Sequence, residues 1–173
     1  MTVHRLSPLP TGPATGRLLV AESVAMPTFA ALQASSGDHR HHESLVLWLG
    51  RTVGSSTLVL ACAAPPTFSG PGRVHVDEAA VGATARAART HGLGVVAQVH
   101  SHPGHDTRHS DGDDQLVLMP FDGMFSLVIA DYGRGSLLPA EGAGLHQHQG
   151  GRWIKIDNDA MQMIPSLISV PGL

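Results

Sequence analysis

One cysteine, Cys62, stands alone in 173 residues, which excludes an intrachain disulfide framework and fits a reducing, cytosolic setting. Basic clusters are missing too. Lys and Arg are scattered and the net charge is −3 with His neutral, so the chain lacks the footprint of a nucleic-acid binder. No apolar run approaches the ~18 residues of a membrane span. The opening Met1-Thr2-Val3-His4-Arg5-Leu6-Ser7-Pro8 also lacks the apolar core of a signal peptide, so neither export nor a membrane partner is expected. Internal repeats are absent.

What is present is the composition of a packed globule, 42% apolar and 14% charged, and of a length that suits one domain. The stretch 1–15, rich in Pro, Thr and Gly, reads as a flexible leader, and 16–157 as the domain. Residues 158–173 read as a tail in which Pro165 and Pro171 limit any helix. Within the domain, 17–22 suits a first strand. A helix fits 26–34, with Pro27 in its first turn, and 35–42 is a polar loop. The run Leu45-Val46-Leu47-Trp48-Leu49-Gly50 reads as a strand buried on both faces, hairpinned to 57–61. Residues 64–72 suggest a loop and 74–76 a short strand.

Asp77 is placed to cap a helix over 78–90, with Gly92 just beyond its end. Strands follow at 95–99 and 125–130, and the glycines Gly150-Gly151 join 144–149 to 152–156 in a terminal hairpin. Between those two strands, Ser110 starts a short helix expected to run to Met119, with Asp111, Asp113 and Asp114 in its first turn and Pro120 ending it. The sum is a mixed α/β or α+β domain with a central sheet and two or three helices. Trp48 and Trp153 fit sheet packing, and Cys62 a small buried apolar residue.

Twelve histidines decide nothing by number, since His39, His41 and His42 suit an exposed loop, as do His105 and His109. Their spacing does. His100 and His102, one residue apart at the end of a strand, point the same way because side chains alternate with period two. Pro103 and Gly104 then turn the chain, and Asp113 follows in the first turn after Ser110. Two imidazoles and a carboxylate form a three-ligand set that leaves the fourth tetrahedral position open, as catalytic zinc sites do.

His100, His102, Ser110 and Asp113 resemble the JAMM (MPN+) metalloprotease motif, His-x-His, seven residues, Ser, two residues, Asp. The likeness extends from about Arg17 to Tyr132, through the order of strand, helix and strand that precedes the histidines. It implies a single MPN/JAB-type domain of cytidine-deaminase-like architecture, with a curved mixed sheet flanked by helices. It also implies one Zn2+ per chain, held by His100, His102 and Asp113. Glu43, just before the buried strand, would be the general base that takes a proton from the attacking water and passes it to the leaving amine. Ser110 would donate to the oxyanion. Leu45 and Val46 depart from the family, whose members often carry Cys-Gly at those places. Asp114 adjoins Asp113, and motif spacing alone selects between them.

The run Met119-Pro120-Phe121-Asp122-Gly123-Met124-Phe125 is similar to relatives that accompany bacterial ubiquitin-like conjugation systems with E1-like and E2-like partners. The resemblance therefore implies an isopeptidase or peptidase cutting after the C-terminus of a ubiquitin-like protein. Two alternatives remain open: release of an amino acid from a sulfur-carrier protein, and a non-catalytic MPN scaffold.

Overall fold

A computed structural model of the chain describes residues 5–34, 42–70, 73–116 and 120–168. Ten strands and two α-helices follow in the order β1 (Arg17–Ala21), α1 (Ala25–Ala34), β2 (Leu45–Val53), β3 (Ser56–Ala63), β4 (Phe68–Gly70), β5 (Arg73–His75), α2 (Glu78–Thr90), β6 (Gly94–Ser101), β7 (Phe125–Ile129), β8 (Gly144–Gln149), β9 (Arg152–Lys155) and β10 (Met161–Ile164). Eight strands make one mixed sheet in the order β10-β1-β3-β2-β6-β7-β8-β9, and β4 and β5 form a separate two-stranded ribbon.

Alternation along β2 explains how the sheet acquires two covered faces. Val46 and Trp48 point to the side of α1, where they join Val24, Leu32, Val99 and Phe125. Leu45 and Leu47 point to the other side and meet Val74 on β5, Val76 just after it, and Ala80 and Val81 at the start of α2. Full burial of each such side chain stabilises the fold by about 1.5–3 kcal/mol. The indole N–H of Trp48 donates to Thr28 Oγ1 at 2.9 Å, so its one polar atom is satisfied within the core. Register shifts at Trp48, Leu49 and Gly50 curl the sheet here. A Cβ on Gly50 would lie 1.7 Å from the Leu58 carbonyl oxygen, so only glycine fits that bulge.

Strong local signals coincide with the observed element boundaries. Asp77 Oδ1 accepts the Ala80 N–H at 2.7 Å as the cap of α2. Gly150 and Gly151, at φ of +57° and +78°, make the tight turn between β8 and β9. Three expectations change. The stretch 1–15 is packed from residue 5 onward: Lys155 N–H donates to Pro10 O at 2.9 Å, and Gly12 N–H to Lys155 O at 3.1 Å. Residues 64–72, expected as a loop, contain β4, a strand too short to show periodicity. Finally, 158–173 is more than a tail, because β10 pairs in parallel with β1 and forms the sheet's edge. The expected loop at 35–42 lies outside the described residues except for His42. Among the described residues, no helix is long and apolar enough to cross a membrane.

Candidate metal centre

β6 runs between β2 and β7, with His100 registered against Leu45 on one side and Val128 on the other. His100 is therefore fully buried on the α2 face of the sheet. His102 lies just past the strand and is fixed by its backbone: its N–H donates to Ile129 O at 2.9 Å, and its carbonyl accepts from Tyr132 N–H at 2.8 Å. The second bond requires a sharp turn after β7. Asp131 and Tyr132 take left-handed φ of +51° and +53°, a conformation that disfavours L-residues by about 1–2 kcal/mol each. Asp131 and Gly133 are the residue types that favour such a turn.

The expected helix over 110–119 is one 3-10 turn, Asp113–Gln115, with 117–119 outside the described residues. Asp113 folds its carboxylate back to accept the Ser110 N–H at 2.5 Å, while Ser110 Oγ accepts the Asp113 N–H at 3.2 Å. This reciprocal bonding competes with a helical path, and it aims the carboxylate at the histidines. Asp113 Oδ1 lies 3.4 Å from His100 Nε2, and Oδ2 lies 3.1 Å from His102 Nε2. The three candidate ligand atoms all fall within 4.8 Å of one another and all three residues are buried. Ligand atoms about 3.3 Å apart are what tetrahedral zinc with bonds of roughly 2.05 Å demands.

The donor set fits such an ion. Both ring nitrogens of His100 are buried without a hydrogen-bond partner among the described residues, a costly state that a metal on Nε2 would relieve. Burial drives His100 down to about 4, with Asp113 opposing, so the ring is neutral and its lone pair available. His102 Nδ1 lies 2.7 Å from the Asp106 carbonyl. A carbonyl only accepts, so Nδ1 carries the proton and Nε2 faces Asp113, the orientation metal-binding histidines need. Burial would lower His102, but bonds and charge from Asp113, with the Asp106 carbonyl and Glu43, raise it. For Asp113, burial opposes ionisation, yet the His100 and His102 rings outweigh it and hold the carboxylate below its usual range.

Glu43 precedes β2 and is 7% exposed. Its N–H donates to Gly70 O at 3.1 Å, and the next residue is tied to the one between the two histidines, Ser44 N–H donating to Ser101 Oγ at 3.1 Å. Burial raises the Glu43 carboxyl to about 7; His102 pulls it down and Asp113 pushes it up, so it faces the same cluster. The structure thus brings His100, His102, Asp113, Ser110 and Glu43 to one place. Asp114 turns away from it, toward Arg5 and His109.

His109 is the residue the sequence misplaced. It is fully buried, not exposed. Its Nε2 lies 2.8 Å from Ser126 Oγ and its Nδ1 3.2 Å from Asp114 Oδ1, the connectivity of a Ser-His-Asp triad. Ser126 is also fully buried and accepts from Gln98 Nε2 at 3.0 Å, so its hydroxyl sits inside a hydrogen-bond network and is not presented at the surface. Gly144 lets the loop close over this network, since a Cβ there would lie 1.9 Å from the Thr107 carbonyl oxygen. Cys62 is only half-buried, and burial pushes its thiol up, which leaves it a weak nucleophile.

A model of the prokaryotic homologs of the JAB domain matches residues 27–136. The chain belongs to the prokaryotic JAB domain family. No curated protein matches the sequence. Among solved structures, the JAB domain here is similar to the solution structure of protein DSY2949 from Desulfitobacterium hafniense, with a TM-score of 0.64 and 16% identity over 87% of this chain and 94% of that one. At that identity the likeness shows the fold alone. With the fold and family in place, the buried His-His-Asp group of this JAB domain is a site that can hold a metal ion.

Metal binding to the cluster will release protons at neutral pH. In the metal-free protein Glu43 titrates near 7 and His102 is raised, so both hold protons on the acid side and lose them as pH rises. An ion needs the His102 lone pair and favours ionised Glu43, so affinity will strengthen from about pH 6 to 8. Calorimetry in buffers of different ionisation enthalpy should show protons released from Glu43 and His102 when metal binds at pH 6.5. Binding at pH 6.5 without proton release would contradict these assignments.

Proposed function

We propose that this JAB domain is a zinc-dependent isopeptidase or peptidase that hydrolyses the bond following the C-terminus of a ubiquitin-like protein in a bacterial conjugation system. The observation that carries the reading is the buried His100–His102–Asp113 group with the raised Glu43 carboxyl facing it. When bound, zinc would supply Lewis acidity and a water that ionises near pH 7.

The remaining work belongs to the chain's own residues. With a pKa near 7, Glu43 is matched to accepting a proton and returning it to a leaving amine at neutral pH. Ser110 Oγ already accepts the Asp113 N–H, which leaves its own O–H to donate to a developing oxyanion. In the β4–β5 ribbon, the end of β4 lies beside Glu43, whose N–H is bonded to Gly70 O, and Phe68 at its start is 71% exposed. An extended, Gly-rich tail laid along such a ribbon by strand addition would bring its last carbonyl toward the metal ligands. Narrow, buried ligands favour that kind of substrate over a folded loop. Partners of this kind, with E1-like and E2-like enzymes, fit a cytosolic setting.

The experiment uses the full chain purified without added zinc. We expect about one equivalent of zinc by elemental analysis, and cleavage of a ubiquitin-like protein joined through its C-terminal glycine to a lysine side chain. A chelator should abolish cleavage and zinc should restore it. Cleavage of a sulfur-carrier–cysteine adduct instead would move the enzyme to the carrier pathway. Less than about a tenth of an equivalent of zinc, with no cleavage of either substrate, would leave a scaffold.

A further inference from the structure

Arg5 lies before the residues that match the family model, yet it reaches the loop carrying Asp113. Its Nη1 donates to the Ser110 carbonyl at 3.0 Å and the His109 carbonyl at 3.4 Å. The same guanidinium grips Asp114 with two bonds, Nη1 to Oδ1 at 3.2 Å and Nη2 to Oδ2 at 2.9 Å. Leu6 N–H adds a bond to Asp111 Oδ2 at 3.0 Å. One planar fork therefore holds the backbone on the near side of Ser110 and the side chain just past Asp113.

Two things make this more than a surface ion pair. The segment behind Arg5 is anchored at several points: Leu9 packs against the cluster of Leu116, Met124 and Trp153, and Thr15 N–H donates to Gln147 Oε1 at 2.7 Å. Beyond Asp114 the bonds continue inward through His109 and Ser126 to Gln98, which sits two residues before His100 on β6. The loop bearing one ligand is thus locked, through Arg5 and His109, to the strand bearing another. Asp111, Asp113 and Asp114 crowd three carboxylates into four residues, and the guanidinium takes up the outer two.

We propose that Arg5 is a positioning residue for the metal loop, and that residues 5–15 form a strap without which Ser110 and Asp113 do not hold their places against His100 and His102. The proposal rests on the zinc reading for its consequence, not for its geometry. Lysine cannot substitute fully, because an ammonium lacks the fork that spans two carboxylate oxygens and two carbonyls.

The test compares full-length wild type with Arg5→Ala, Arg5→Lys and, as a control on the neighbouring exposed strand position, Arg152→Ala. Amide hydrogen exchange is measured without metal, and zinc affinity by competition with a chromophoric chelator. In Arg5→Ala we expect the Ser110 and Asp113 amides to exchange at least about 10-fold faster while those of β6 stay as in wild type. The zinc dissociation constant should rise about 10–100-fold, Arg5→Lys should recover only part, and Arg152→Ala should match wild type. Unchanged exchange and affinity in Arg5→Ala would overturn the proposal, and so would an increase spread equally over β6 and β7. Should Arg5→Ala not fold, Arg5→Lys is read by the same two measurements and the same criteria. If wild type takes up no zinc, the zinc reading falls and the exchange data alone decide the strap.

Discussion

Replacing Glu43 by glutamine will lower kcat by about 10²–10⁴-fold while leaving the zinc content at one equivalent. The substitution keeps volume and shape, and the backbone that places residue 43 is tied independently, by Glu43 N–H to Gly70 O and by Ser44 to Ser101. Only the ability to take a proton is lost. Glutamine also removes a carboxyl that burial has raised to about 7, so no buried charge is stranded by the change. The measurement is kcat on the ubiquitin-like isopeptide substrate, paired with elemental analysis of the same sample. Activity within tenfold of wild type would move the proton acceptor elsewhere.

A loss of a different kind is expected from Asp113→Ala. On the proposed ligand set, removing one of three ligands should weaken zinc binding by well over 100-fold, more than the about 10–100-fold expected when a supporting residue is removed. The substitution also frees the Ser110 N–H, which bonds Asp113 Oδ2, and so loosens the turn. Asp113→Asn separates the two effects, because it can keep an acceptor for Ser110 but brings no charge to the ion. Asp114→Ala is the informative neighbour. It leaves the three ligand atoms in place and cuts the bonds to Arg5 and His109, so its effect should fall in the supporting range. If Asp114→Ala proves the more damaging of the two, the ligand assignment shifts by one residue. Chelator competition across the three variants reads all of this.

The parts of the molecule that were legible in the sequence are those written in short-range patterns. Leu45 to Gly50 announces a strand covered on both sides, and it is the strand with β3 and β6 on either side. His100 and His102 share a side because the period of a strand is two, and that needs no knowledge of the rest of the fold. Asp77 and the Gly150-Gly151 pair set their boundaries by chemistry confined to a few residues.

What stayed hidden depends on partners distant in sequence. His109 looked exposed because it lies in a polar loop; it is buried because Asp114 and Ser126 each satisfy one of its nitrogens. The leader looked flexible because its proline and glycine content signals no element, whereas its order comes from Lys155, Gln147 and Asp114. Among the described residues the helix expected at 110–119 is a single turn, because Asp113 bonds back to Ser110, a competition that composition does not reveal. β10 escapes sequence reading because four residues beside Pro165 give too short a pattern, and its strand character is conferred by β1.

The parallel pairing of β10 with β1 has a bearing on the order of events as the chain is made. Leu18 meets Met161, so the two strands that share this edge are separated by nearly the whole domain. A ribosome delivers β1 first, and its outer neighbour only after the other described strands of the sheet. Such distant pairings carry the largest loop-closure entropy and form slowly. Between those moments the backbone groups on the outer side of β1 have no strand to meet, and they offer themselves to any other extended chain in reach. The late arrival of Met161–Ile164 closes that window. In this molecule β10 covers the outer side of β1 and takes over the place of edge strand itself.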